Sequence, residues 1–239
     1  MSLQQNILQV KQNIALAAKE AGRAPEEITL CAATKTQSDE TIRAAISAGI
    51  TLCGENRVQE MTAHLDADAY AGAELHFIGH LQTNKGKQVV GRVELIESVD
   101  SLRLLEAIER QAAALDLVQD ILLEVNIAGE ASKSGLSPEE LEPMARRAVE
   151  LPHIRLRGLM AIPPAACGEG NRRFFRKMSQ LFVDIKQKMA HNGNDINCLS
   201  MGMSGDYMDA VREGATLVRV GTALFGEREP LEKPVRDIF

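Results

Sequence analysis

Eight short apolar runs, alternating with segments of helical periodicity, limit the fold of this chain more than any other feature. They are Ile28–Thr36, Thr51–Glu55, Leu75–His80, Val93–Val99, Val118–Asn126, Ile154–Pro163, Ile196–Met203 and Leu217–Phe225. No two sit close enough to pair as a hairpin, so they read as parallel strands joined by helical crossovers. A count of eight favours closure into a (β/α)8 barrel over an open doubly wound sheet. The 239 residues lie near the roughly 250 typical of that fold, so residues 1–239 are expected to form one domain.

Local signals support the alternation. Leu3, Ile7, Val10, Ile14 and Ala17 recur at helical spacing ahead of the first strand, with Gly22 as the stop. Ser38 is expected to cap a helix over Asp39–Ala48 that ends at Gly49, and Asp100 to cap the helix after the fourth strand. Ser137, Pro138, Glu139 and Glu140 combine an N-cap, a proline at the first helical position and early acids. RRFFRK, Arg172 to Lys177, reads as a helix start with Phe174 and Phe175 inward and the cations solvated. The tail from Pro230 to Phe239 is expected on the surface.

Composition removes several classes of function. Hydrophobic residues make up 45% and charged residues 25%, so the chain is neither disordered nor fibrous. Tryptophan is absent and aromatics amount to 3%, which requires an aliphatic core. A net charge of −6 gives no general attraction to nucleic acid or to anionic membranes. Cys31, Cys53, Cys167 and Cys198 show no CxxC spacing, the opening MSLQQNILQVKQ has no apolar signal region, and no run approaches a membrane span. A cytoplasmic protein with reduced thiols, monomeric and without a membrane or nucleic-acid partner, is the expectation.

In such a barrel the chemistry belongs at the C-terminal ends of the strands. The first run delivers Lys35 there. Its amine could pair with an acid, face solvent, or stay neutral enough to attack a carbonyl. SMGMSGD, Ser200 to Asp206, and RVGTALFG, Arg219 to Gly226, look like phosphate loops on the two adjacent strands where barrel phosphate sites recur. Ser200, Gly202, Ser204, Gly221 and Thr222 offer hydroxyls and close backbone approach, Arg219 a permanent charge, and Asn56 and Asn84 neutral hydrogen bonds. The competing reading of the glycines is tight packing within barrel strands. An amine facing a phosphate cradle implies a phosphorylated carbonyl ligand.

Other signals fail. GHLQTNKGK, Gly79 to Lys87, has Asn84 where a P-loop needs its second glycine. His76 and His80 are four apart along a strand, a spacing that suits a metal only on a helix, so no metal site is expected. No GxSxG elbow is present.

From end to end the chain resembles the pyridoxal phosphate homeostasis proteins, whose fold is similar to the N-terminal barrel of alanine racemase. The matching stretches are ATKT with Lys35, GENRVQE from Gly54, HFIGHLQTNK from His76, SKSGL from Ser132, RGLMAIPP from Arg157, LSMGMSGDYMDAV from Leu199 and GATLVRVGTALFG from Gly214. The resemblance implies that Lys35 carries pyridoxal 5′-phosphate as an internal aldimine. It implies that Ser200, Ser204, Gly221 and Thr222 bind the phosphate, that Asn56 contacts the cofactor, and that Arg219 faces the pyridine nitrogen.

Three functions follow as expectations: a protein that buffers the cofactor and passes it to apo-enzymes, a racemase or decarboxylase using the same group, and a lysine aldolase acting on a phosphorylated sugar. The aldolase needs carboxylates near the amine, and only Glu55 is close in the chain. The racemase needs a second acid/base group, which in alanine racemase is a tyrosine from a further domain. Here Tyr70 lies after the second strand, and Tyr207, after the seventh, is expected to pack on the surface.

Overall fold

Strands β1 (Thr29–Ala33), β2 (Leu52–Glu55), β3 (Glu74–Phe77), β4 (Leu95–Val99), β5 (Gln119–Glu124), β6 (Ile154–Met160), β7 (Cys198–Ser200) and β8 (Leu217–Val220) close into a parallel barrel in sequence order. The computed structural model describes residues 2–130, 133–164, 169–189 and 195–226. Closure is made by β8 against β1, where Leu217 to Val220 run beside Thr29 to Ala32. A closed parallel sheet is buried on both faces, which is why these runs are nearly continuous in apolar residues rather than alternating. Cys167, Ser132 and the tail from Pro230 to Phe239 lie outside the described residues.

The helices are α1 (Leu3–Glu20), α2 (Asp39–Ser47), α3 (Val58–Asp66), α4 (Leu102–Ala114), α5 (Pro138–Glu150), α6 (Glu169–Met189), α7 (Tyr207–Arg212) and α8 (Thr222–Phe225). Ile7, Val10, Ile14 and Ala17 of α1 are buried, and Gly22 follows the helix at φ 68°. Ser38 caps α2 through the Thr41 N–H, and Ser137 forms a reciprocal capping box with Glu140 at α5, each such cap contributing about 1 kcal/mol. The helix after β4 departs from expectation. Ser101, not Asp100, is its N-cap and accepts from the Leu104 N–H. Asp100 instead pairs with His80 at 3.2 Å on the C-terminal mouth of the barrel.

The main core fills the space between barrel and helices, with Phe77, Phe175, Ile42, Ile50 and Met61 among its fully buried members. Phe175 is sealed inside, while Phe174 is partly exposed, packs on the core edge and lies under the Arg173 guanidinium at 4.7 Å. The barrel interior holds smaller clusters, one of Cys31, Ala33, Leu52, Ile78 and Leu217. Burial pushes the Cys53 and Cys198 thiols up to about 12, so both behave as small hydrophobes.

Several strands end sooner than their apolar runs. β1 stops at Ala33 and β8 at Val220, after which Thr222–Phe225 turn into the short helix α8. The sequence TALF is apolar in either conformation, so an apolar run alone does not mark where strand gives way to helix.

Candidate functional site

The loop after β1 presents Lys35. Thr34 is buried, and its N–H donates to the Gly54 carbonyl at 3.0 Å, continuing the β1–β2 pairing past the strand end. Thr36 then adopts φ 66°, a left-handed conformation that is unusual for a β-branched residue and costs on the order of 1 kcal/mol. Its N–H is held by the Glu60 carboxylate at 3.0 Å. That turn leaves Lys35 half-buried, lining a cavity of about 410 Å³ at the C-terminal mouth.

The opposite wall of this cavity comes from the loops after β7 and β8. It contains Ser204, Gly205, Gly221 and Thr222, while Arg219, Asn56 and Ile78 line it from the barrel side. The Ser204 hydroxyl oxygen receives the backbone N–H of Gly221 at 3.1 Å and of Ala223 at 3.2 Å. Two backbone donors thus converge on one oxygen, the pattern a phosphate oxygen requires. Asp206 fixes the loop, accepting from the Met203 N–H at 2.7 Å and from the buried Asn171 amide at 2.7 Å.

The glycines divide by cause. Gly202 sits at φ 93°, and a Cβ there would meet Ala210 at 2.5 Å, so packing against α7 demands that glycine. A Cβ on Gly205 would meet nothing within 4 Å, and one on Gly221 only Ala33 at 3.5 Å. Nothing in the protein's own packing requires glycine at those two cavity positions, whereas a ligand pressed against the backbone would. The competing packing explanation therefore holds for Gly202 and not for Gly205 or Gly221.

Ser200 stands apart from this wall, contrary to its expected place among the phosphate ligands. Its side chain is fully buried inside the barrel, where the hydroxyl donates to Glu97 Oε2 at 2.6 Å and accepts from Arg219 Nη1. Arg219, 4% exposed, also donates from Nη2 to the Ala161 carbonyl at 3.0 Å. Glu97 Oε1 is 2.8 Å from His76 Nδ1. Burial works to raise the Glu97 carboxyl, but hydrogen bonding and charge from His76, then Arg219 and Ser200, outweigh it and hold the group below the usual carboxylate range. An ionised carboxylate only accepts, so His76 carries its proton on Nδ1. The sequence alone offers His76 only as a failed metal ligand and gives Glu97 no role. A charged residue inside each of the apolar strands ELHF, LIESV and LVRV was the available signal, because buried charges need partners.

Other candidates are placed elsewhere. Glu55 is fully buried, its carboxyl raised by burial and tied to Thr34, Tyr70 and the Asn56 N–H, and it does not line the cavity. Tyr207 is buried, contrary to the expected surface position, and its oxygen accepts from Asn13 at 2.9 Å. Asn84 lies in a 3₁₀ segment, Thr83–Gln88, away from the cavity lining. Asn56 Oδ1 is buried with no hydrogen-bond partner among the described residues. Among the described residues no group of three or more His, Cys, Asp or Glu could hold a metal, and no helix is long and apolar enough to cross a membrane.

A wider cavity of about 680 Å³ opens at the N-terminal mouth, but Glu27, Glu74, Glu94 and Asp120 line it and would repel a phosphate. Among the described residues, the C-terminal cavity brings together an amine, a buried cation and convergent backbone N–H groups. That set, an amine beside a cation and backbone N–H groups, has the chemistry that a phosphorylated aldehyde such as pyridoxal 5′-phosphate would require.

Known proteins agree with this architecture. The family model for the alanine racemase N-terminal domain matches residues 6–229. The pyridoxal phosphate homeostasis protein of Aquifex aeolicus is 40% identical over 230 residues, covering 96% of this chain and 100% of that protein. The Escherichia coli K12 protein of the same name is 41% identical over 233 residues, covering 95% and 97%. Among solved structures, PipY of Synechococcus elongatus PCC7942 with PLP bound superposes with a TM-score of 0.81 at 30% identity, covering 94% of this chain and 100% of PipY. Alanine racemase of Clostridium difficile 630 superposes at 0.72 with 16% identity, covering 99% of this chain and 58% of the racemase, a likeness of fold. With near-complete coverage at about 40% identity, a closed eight-stranded barrel and its amine-bearing mouth, the chain belongs to the pyridoxal phosphate homeostasis protein family.

Proposed function

We propose that this chain holds pyridoxal 5′-phosphate reversibly on Lys35, buffers the free aldehyde in the cytoplasm and passes the cofactor to apo-enzymes that need it, working as a monomeric single-domain barrel. The observation that supports this most is that Lys35, Arg219 and the Ser204–Thr222 wall line one cavity. The bound cofactor supplies an aldehyde that condenses reversibly with a primary amine, and an electron-withdrawing ring. Lys35 provides the amine. Ser204, Gly221 and Thr222 take the phosphate, and Arg219 donates to the ring nitrogen. A guanidinium is always protonated and cannot accept a proton from that nitrogen, so the ring stays a weak electron sink, which suits holding over turnover.

Pyridoxal and its 5′-phosphate test the cradle. Hydrogen bonds to a charged group contribute about 1.5–3 kcal/mol each, so losing two with the phosphate weakens binding by about a hundredfold or more. Titration of both ligands, followed by absorbance, is expected to show that gap. Equal affinities would exclude the loops after β7 and β8 as the phosphate site.

Racemisation needs proton removal on one face of the substrate carbon and delivery on the other. The lining of this cavity offers Lys35 for one face and, among the described residues, no tyrosine, histidine, cysteine or carboxyl for the second, the Glu124 carboxyl lining a separate, adjoining cavity. The loaded protein is therefore expected to racemise alanine no faster than free pyridoxal 5′-phosphate. A faster rate that disappears with Lys35→Ala would make the chain an enzyme.

A further inference from the structure

We propose that a second cavity at the C-terminal mouth binds the ammonium group of a primary amine, and that Glu124 takes its proton as the nitrogen replaces Lys35 on the cofactor. The replacement step rests on the cofactor reading above, whereas the ammonium site does not. The cavity measures about 320 Å³ and shares Asn56, Ile78 and Ile162 with the larger one, so the two adjoin. Glu124, the last residue of β5, is 7% exposed and lines it. Its backbone carbonyl accepts from Leu136, and no side-chain hydrogen bond acts on its carboxyl among the described residues. At the seam of the two cavities Asn56 Oδ1 is also buried and unpartnered.

Two unmet acceptors, one of them acidic, select a cationic donor, and an ammonium group has three N–H bonds to give. Nearby cationic groups are engaged elsewhere. His80 pairs with Asp100 and with Ser134, each at 3.2 Å, and Lys133 pairs with Glu130 at 3.2 Å. The charged groups facing Glu124 are Asp100 after β4, His80 after β3, Arg219 on β8 and Lys133 on the rim. Burial first, then Asp100, push the Glu124 carboxyl up to about 7 against the pull of Arg219 and His80. Such a group exchanges a proton with little cost near neutrality, as a general base must.

The step balances without any further reagent. The entering ammonium gives a proton to the Glu124 carboxylate, and its nitrogen forms a bond to the aldehyde carbon. The double bond from that carbon to Lys35 Nζ breaks, the two hydrogens left on the entering nitrogen pass to Nζ, and the proton leaves Glu124 to give the released lysine ammonium. No electron is gained or lost. Exchange of one amine for another is the chemistry by which a held aldehyde moves to a different lysine or amino acid.

The probe is n-propylamine, with Glu124→Gln and Glu124→Asp as variants. On the unloaded protein, side-chain carbon NMR is expected to show saturable binding at Glu124, weakened at least about tenfold in Glu124→Gln because the charge is lost. On the loaded protein, loss of cofactor from Lys35 after amine is added, read as protein mass after a borohydride quench, is expected to saturate with amine and to quicken as pH rises through neutrality. Glu124→Gln should be about a hundredfold slower and Glu124→Asp intermediate, while borohydride fixes cofactor to Lys35 equally in all three. Unchanged exchange in Glu124→Gln, or no saturable shift on the unloaded protein, would overturn the proposal. Failure to load Lys35 would instead remove the cofactor reading and leave the NMR titration to decide the ammonium site.

Discussion

Lys35→Ala protein mixed with pyridoxal 5′-phosphate is expected to show no visible band and to gain no mass on borohydride reduction. The parent chain should gain one cofactor, mapped to Lys35. The expected loss is complete because the covalent contact depends on one nitrogen, and the neighbouring positions Thr34 and Thr36 carry no amine. Weak noncovalent binding should survive, since Ser204 and the 221–223 backbone are unaltered. Mapping the reduced cofactor to Lys85 or Lys133 would reject the site. The local structure explains why the substitution should be tolerated. The turn is held by backbone contacts, Thr34 N–H to Gly54 and Thr36 N–H to Glu60, neither of which uses the lysine side chain.

What the sequence made legible divides along physical lines. Strand and helix alternation was readable because each parallel strand is buried on both faces and so stands out as an apolar run. Helix starts at Ser38 and Ser137 were readable because a hydroxyl before a polar first turn has one local use, capping. The Asp100 assignment failed where two capping residues adjoin, since Asp100 and Ser101 can each cap and only tertiary contact with His80 sends the aspartate elsewhere. Ser200 failed for a different reason. Alternation gives the face on which a side chain lies, but not its depth along the barrel axis, and Ser200 sits deeper than the cavity wall, beneath Arg219. Tyr207 lies at the first position of α7, yet the helix docks on α1 and buries it against Asn13, a contact 194 residues away in sequence.

The buried chain from Arg219 through Ser200 and Glu97 to His76 carries the other large expected effect. Glu97 is fully buried, and its Oε2 lies 3.7 Å from Arg219 Nη1. Removing one partner of a buried ion pair leaves the other charge uncompensated, which costs about 3–5 kcal/mol. Glu97→Ala should therefore lower the melting temperature by on the order of 10 °C, measured by calorimetry on the unloaded protein. A melting temperature within about 1 °C of the parent would mean that Arg219 does not depend on this carboxylate. Glu97→Gln keeps the shape and removes the charge, so its pH dependence isolates the electrostatic part. A carboxyl held below its ordinary value in the native state binds protons less readily there than in the unfolded chain, so its stabilisation is full above the ordinary carboxylate range and is lost as pH falls through the depressed native value. The stability gap between parent and Glu97→Gln should accordingly be widest near neutrality and close in acid. Replacing Glu97 and Arg219 together by leucine and methionine should recover much of the stability lost by Glu97→Ala, because no buried charge is then left unpaired. That double variant would separate two roles of the pair. Stability would return, while the guanidinium that lines the cavity would be gone and, on the proposed function, pyridoxal 5′-phosphate binding would stay weakened.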